Sequence, residues 1–162
     1  MRDDQNLWNF FFGMVFVGFV VLAIGLLLRH QVMPTSIELF DAVLITLATF
    51  RVIRLFVYDK ITQWLRDLFL QKVSTAGSPG ELVVVRQKFT TGPFRTISDL
   101  MSCPWCFGVW AAFVVSFFYF LTPLAWYPIF FMAIAGVASL VQVLANLIGW
   151  YAEGRKHEVE GR

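Results

Sequence analysis

The sequence predicts an all-α membrane protein of four transmembrane helices, with an amphipathic interfacial helix on the cytoplasmic side. Three observations carry that reading. Of the 162 residues, 58% are hydrophobic, 17% aromatic and 15% charged, whereas a soluble domain averages roughly 45–50% apolar and about 25% charged. A chain of this length bears no soluble core large enough to hide the excess. The apolar residues fall in four runs, each long enough to cross a bilayer, and continuous runs of that kind exclude the short alternating strands of a membrane barrel. Finally, the basic residues cluster on one side of those runs.

The first run, Leu7–Leu28, carries no charge and spans about 33 Å as a helix. It ends in Leu26-Leu27-Leu28-Arg29-His30, without the short core and small-residue cleavage site of a signal peptide, so it is expected to be a retained span. The second covers about 39–58, with Asp41 at one end and Arg51 and Arg54 toward the other. The third covers about 103–121 and the fourth about 125–151, after Thr122-Pro123-Leu124. The organisation expected is one polytopic membrane domain, 1–162, with a cytoplasmic segment 59–102 and a tail 152–162.

Lysine and arginine placement sets the orientation. Arg2, the run Lys60, Arg66, Lys72, Arg86, Lys88 and Arg95, and the tail residues Arg155, Lys156 and Arg162 place ten basic residues on one side, against Arg29 on the other. Both termini are therefore expected in the cytoplasm. The formal net charge of +2 gives no reason to expect a nucleic-acid partner.

Within the cytoplasmic segment, Ile61, Trp64, Leu65, Leu68 and Phe69 share one helical face and Lys60, Gln63, Arg66 and Asp67 the other, which describes a helix in the headgroup plane or packed on the helix ends. The Ser74–Gly80 stretch reads as a loop. Leu82–Phe89 reads as a short strand or hairpin, so 74–92 is a loop or hairpin insertion. Pro93 opens a helical spacing of Phe94, Ile97, Leu100 and Met101.

The sharpest local feature is Cys103-Pro104-Trp105-Cys106, followed by Phe107-Gly108-Val109-Trp110. Pro104 suits the first position of a helix, which puts Cys103 at the positive helix end, where a thiolate is favoured. Three readings stay open. The pair acts as redox thiols, although the cytoplasm disfavours a stable disulfide. It holds zinc, but two sulfurs and His157 fall short of four ligands and demand a second subunit. Or the cysteines pack a tight helix start beside Trp105 and Trp110. No cofactor is expected.

Arg51 and Arg54 lie on one face of the second span, where an arginine is costly without a partner. The acidic candidates at that face are Asp59, Asp67 and Asp99; a contact from Arg51 or Arg54 to Asp99 is expected to join spans two and three, with lipid phosphates as the competing partner. Ala135, Ser139, Gln142 and Asn146 form a small and polar stripe on the fourth span, read as bundle packing or, second, as a homo-oligomer contact. Gly13, Gly18 and Gly25 in the first span are read as packing. No phosphate-binding glycine loop or catalytic triad spacing is present.

The motif from Thr49 to Leu55 (Thr-Phe-Arg-Val-Ile-Arg-Leu), with Asp59, Ile61 and Arg66 and the downstream run Cys103–Trp110, resembles the bacterial and phage membrane proteins of domain of unknown function 1360, some of which are sporulation-associated. The resemblance covers roughly Phe40–Trp150, leaving the first span and Ser74–Thr91 as additions. It implies a small multipass protein of the bacterial inner membrane and marks Arg51, Arg54, Asp59, Arg66, Cys103, Cys106, Gly108 and Trp110 as family positions. It implies no activity. The leading expectation is a non-enzymatic scaffold in the lipid bilayer with a protein partner on its cytoplasmic face. A thiol-redox or metal-responsive protein is the alternative, and a holin-like lesion former, suggested by size and spans, is a third.

Overall fold

The structure is a computed structural model that describes residues 2–76 and 82–160. Six helices and one β-hairpin follow in chain order: α1 Arg2–Arg29, α2 Leu39–Ile53, α3 Gln63–Asp67, β1 Leu70–Ala76, β2 Leu82–Lys88, α4 Pro93–Ser102, α5 Pro104–Leu121 and α6 Trp126–Glu160. Among the described residues, three helices are long and apolar enough to cross a membrane, Asp4–Arg29, Pro104–Leu121 and Pro123–Lys156. The second expected span differs. Its α-helix has 15 residues and passes directly into a π-helical turn, Arg54–Tyr58, so the 39–58 run is helical throughout but not one α-helix.

Each boundary has a local cause. The end of α1 is closed by Gln31 at φ 56, with the Val32 amide donating to the Leu27 carbonyl and the Gln31 amide to the Leu28 carbonyl, both at 3.1 Å. That is the reversal that satisfies a helix's last carbonyls, here without the usual glycine. Prolines occupy the first turns of α4 and α5, where a missing N–H costs nothing. Gly92, at φ 103, supplies the backbone that precedes α4.

The core lies between α2, α5 and α6, formed by Leu44, Ala48, Val115, Ile129 and Ala133. Small residues let these helices approach. A Cβ on Gly136 would overlap the Leu47 carbonyl oxygen of α2, so only glycine fits that crossing. A Cβ on Gly108 would sit 3.2 Å from the Ile53 Cδ1. At the other end of α2, the Tyr119 hydroxyl donates to the Asp41 carboxylate at 2.7 Å and ties α5 to α2.

Several expectations are corrected. The headgroup-plane helix is a single short turn of α3 preceded by a 3-10 turn, Lys60–Thr62, because the chain enters a strand at Leu70. The expected strand pairs with a segment whose end, 74–76, falls in the expected loop: β1 and β2 are antiparallel from Leu70↔Lys88 to Ala76↔Leu82, and residues 77–80 of the expected loop lie outside the described residues. The tail is not separate, since α6 runs on to Glu160. Gly13, Gly18 and Gly25 have open space where a Cβ would stand and are not close-packing positions in this chain.

Candidate functional site

Most of the family-type residues gather at one end of the bundle, where the π-helical turn after α2 and the start of α5 meet α4. The π-helical turn creates the first problem there. Its terminal carbonyls have no partner within the helix, and Arg66 supplies one. The Arg66 guanidinium donates from Nη1 to the Phe56 carbonyl at 2.7 Å and from Nη2 to the Asp59 carbonyl at 2.8 Å. Thr62 adds its hydroxyl, which donates to the Leu55 carbonyl and receives Arg66 Nη1 at 3.0 Å. The spacing of Arg51, Asp59 and Arg66 thus has a structural cause. Asp59 opens the turn after the helix, Arg51 Nη1 holds its carboxylate at 3.0 Å, and Arg66 folds the chain back beneath it.

The expected link from Arg51 or Arg54 to Asp99 is therefore replaced. Arg51 takes Asp59, whose position immediately after the π-helical turn brings its carboxylate back toward α2. Asp99 is instead held by Lys88 Nζ at 2.8 Å and Arg95 Nε at 2.7 Å. Burial raises the Asp99 pKa, but the hydrogen bonds and charges of Lys88 and Arg95 outweigh it, leaving the carboxyl below its ordinary value. Arg54 lies over the Tyr58 ring, 5.6 Å from its centroid, and makes no ion pair among the described residues.

The cysteines sit at the junction of α4 and α5. Cys103 precedes the first residue of α5 with extended backbone, and its Sγ accepts the Cys106 amide at 3.3 Å. Both thiols are free, Cys103 half-buried and Cys106 exposed. The hydrogen bond from the Cys106 thiol, then that from the Cys106 backbone, holds the Cys103 thiol below its ordinary pKa. No group of three or more metal-ligating side chains exists among the described residues. Trp105 does not pack with the cysteines: it is 86% exposed, because Pro104 and Trp105 occupy the outer side of the first turn. Trp110 does pack, against Phe16 of α1 at 4.8 Å between ring centroids.

A cavity of about 610 Å³ opens beside the thiols, bounded by Asn9, Phe16, Lys88, Asp99, Cys103 and Trp110 among others. Two of its lining residues, Asn9 and Thr96, belong to a latch that sequence reasoning missed. Gln5 Nε2 donates to Thr96 Oγ1 at 2.8 Å, the Gly92 amide donates to Gln5 Oε1 at 3.1 Å, and Thr96 Oγ1 donates to Asn9 Oδ1 at 3.0 Å. The available signal was the pair of amides one turn apart at the head of an apolar run. The stripe on α6 is also corrected. The residues packed on α2 are Ile129, Ala133 and Gly136, adjacent to the expected stripe. Gln142 and Asn146 are exposed and bond each other at 3.0 Å.

These positions can be set against known proteins. The profile of the family described as Protein of unknown function (DUF1360) matches residues 44–145. The chain belongs to that family. The match begins within α2 and ends within α6, so α1 lies outside it while the Arg66 turn, the cysteines and the Gly136 crossing lie inside. Two relatives come from Bacillus subtilis strain 168. Sporulation protein YjcA is 35% identical over 105 residues, covering 64% of this chain and 89% of that protein. UPF0713 protein YngL is 32% identical over 106 residues, covering 65% and 78%. No solved structure matches. With such relatives and apolar helices, the chain is a bacterial membrane protein.

Proposed function

We propose that this is a non-enzymatic scaffold of the inner membrane whose cytoplasmic module, formed by α3, the hairpin and α4, docks a protein partner. One observation carries the reading: the module is fastened to the membrane helices by side-chain bonds from both directions. Gln5 and Asn9 of α1 grip Gly92 and Thr96, while Arg66 grips the end of the α2 segment. Internally, Arg86 pairs with Asp67 and Lys88 with Asp99. A segment serving only to connect two helices needs no such fastening, whereas a recognition surface gains from being held in one geometry. A cleft of about 500 Å³ lined by Tyr58, Gln63, Arg66, Asp67, Arg86 and Ser98, with others, marks its open face.

The four crossings in this reading are α1, the α2 segment to Tyr58, α5 and α6. Both termini and the module then share the basic, cytoplasmic side. Since one relative is a sporulation protein, sporulating cells are the place to look for the partner. A photo-crosslinking residue at Gln63 should capture one protein repeatedly, and one at Thr122, on the opposite side, should not. Equal capture at both positions, or none at Gln63, defeats the scaffold reading. A reporter fused after Arg162 tests the orientation independently.

The place of Cys103 at the start of α5, with its sulfur accepting the Cys106 amide at 3.3 Å, favours a second reading, a thiol-responsive protein. Cys103 should then alkylate faster at neutral pH than a free thiol of pKa about 8.5, and Cys106→Ala should slow it by removing the thiol donor while the backbone donor stays. Ordinary rates in both proteins would leave the pair as helix packing.

A further inference from the structure

Outside the module, one polar cleft has no role so far. Between α2 and α6, Arg51, Arg54, Asp59, Ser139, Gln142 and Asn146 line a cleft of about 410 Å³, with Ala138 and Val143. Arg54 follows directly on the 15 residues of α2, about 22 Å along the axis at ~1.5 Å per residue. In a hydrocarbon core of about 30 Å, its long side chain reaches the headgroup boundary. The cleft lies there, lined by the exposed Gln142, Val143 and Asn146 of α6.

We infer that this cleft binds a phosphodiester monoanion, its oxygens held by Arg54 with Arg51 and by the free amide hydrogens of Asn146 and Gln142. The charges set the ligand class. Two arginines and one aspartate line the cleft; Arg51 and Asp59 neutralise each other at 3.0 Å. One positive charge, on Arg54, is left without a carboxylate among the described residues. Such a charge is unfavourable at the edge of a low-dielectric region and draws an anion. A single negative charge restores neutrality, whereas a phosphate monoester near −2 would overshoot.

The hydrogen-bonding inventory agrees. Guanidinium groups have donors and no acceptor. The Ser139 hydroxyl already donates to the Ala135 carbonyl at 2.8 Å. The single Gln142–Asn146 bond, donated by Gln142, leaves both N–H groups of Asn146 and one of Gln142 unused among the described bonds. The unmet groups are thus mainly donors, which suits a ligand rich in acceptor oxygens. A phosphodiester comes either from an anionic phospholipid such as phosphatidylglycerol or from a soluble headgroup ester. A zwitterionic lipid brings its own cation and leaves the Arg54 charge uncompensated.

The full-length protein, freed of lipid in a neutral detergent, is offered equal phosphatidylglycerol and phosphatidylcholine, and retention is read by native mass spectrometry. Phosphatidylglycerol should be retained preferentially. Arg54→Gln should weaken its retention about tenfold, the worth of one charge-assisted hydrogen bond, and Arg155→Gln, the same charge change on distal α6, should not. The acyl-free ester glycerophosphoglycerol, titrated by calorimetry, distinguishes the source: binding lost in Arg54→Gln assigns a soluble ligand, and no binding beside selective lipid retention assigns the lipid. If Arg54→Gln fails to fold, the exposed double change Gln142→Leu with Asn146→Leu carries the same test. Equal retention of both lipids without ester binding, equal loss in Arg155→Gln, or a dimer that Arg54→Gln breaks with no effect on lipid overturns the inference.

Discussion

Along α2 and α6 the contacting residues are Ala48, Ala133 and Gly136, with Leu44 and Ile129 closing the core. Along α1 and α5 they are Phe16, Phe19, Trp110 and Phe113, their rings in tilted or edge contact at 4.8–6.4 Å. The first seam brings backbones together and leaves no room. The second holds them apart on large rings and leaves two cavities, about 610 Å³ at the thiol end and about 360 Å³ deeper along Phe19, Leu22 and Phe117. In lipid no hydrophobic force favours one helix neighbour over the tails, so association rests on close packing and hydrogen bonds. The α2–α6 seam has the packing. The α1–α5 seam lacks it, and α1 is held besides by the Gln5, Asn9 and Thr96 latch to α4; this seam joins the family-type core to a helix outside the family match.

Gly136→Ala strikes the close seam directly. The new methyl would overlap the Leu47 carbonyl oxygen and approach its carbon at 3.2 Å, and backbone has no rotamer by which to withdraw. We expect a loss of about 3 kcal/mol, at the upper end of overpacking costs, read as an early thermal transition in detergent. A wild-type transition would mean that α2 and α6 are not in contact at Leu47.

Arg66→Ala comes next, because it strips the donors from the carbonyls of Phe56 and Asp59. Hydrogen bonds to charged groups contribute about 1.5–3 kcal/mol, and partial exposure places the expected loss near the lower figure, about 1.5 kcal/mol. Arg66→Lys should not rescue it, since one ammonium does not reproduce the planar fork on two carbonyls. Full rescue would show that only the charge matters. Proteolysis between α2 and α4 should rise in both variants, with the bundle itself intact.

How much of this was readable beforehand depends on the range of each interaction. The helix starts at Pro93 and Pro104 and the apolar runs were legible, because a proline's fixed φ and a run's length act locally. The Arg51, Asp59 and Arg66 cluster was visible as a motif, but not its wiring. Asp59, Asp67 and Asp99 were all acidic candidates in sequence and Asp99 the one expected, yet the π-helical turn brings Asp59 back to Arg51, and a turn widened by one residue has no compositional signature. The α6 stripe was displaced for a related reason. Polar residues in an apolar helix attract notice, while the close crossing uses an alanine and a glycine that look like any others. Gly136 and the three first-span glycines are equivalent by composition and opposite in space.

A pH titration separates the module from both seams. The Asp99 carboxyl is held below its ordinary pKa by Lys88 and Arg95. A depressed acid contributes stability that is present above its unfolded pKa, about 3.9, and is lost as pH falls through the lower folded value. Asp99→Asn should therefore cost stability at neutral pH and match the wild type in strong acid. The pairs are partly exposed, so the cost is under about 1 kcal/mol. Hydrogen exchange in α4 is the appropriate readout, and a difference that persists below the folded pKa would assign the effect to packing rather than charge. The Gly136 variant should show no such pH dependence.

The smallest expected effect sharpens the comparison most. Gly18→Ala makes on α1 the change that is disruptive on α6. Nothing stands within 4 Å of the new Cβ at Gly18, so the methyl meets no atom of the chain. Removing a helical glycine also lowers the entropy lost on folding, worth roughly 0.5–1 kcal/mol in water. Gly18→Ala should leave the thermal transition unchanged or raise it slightly in lipid-free detergent. If it instead lowers the transition in bilayers but not in detergent, a second membrane-embedded surface must lie against α1, and the looseness of the α1–α5 seam would reflect a helix shared between two contacts. If it lowers the transition equally in both, α1 is packed within the chain as closely as α6, and the distinction between the two seams fails.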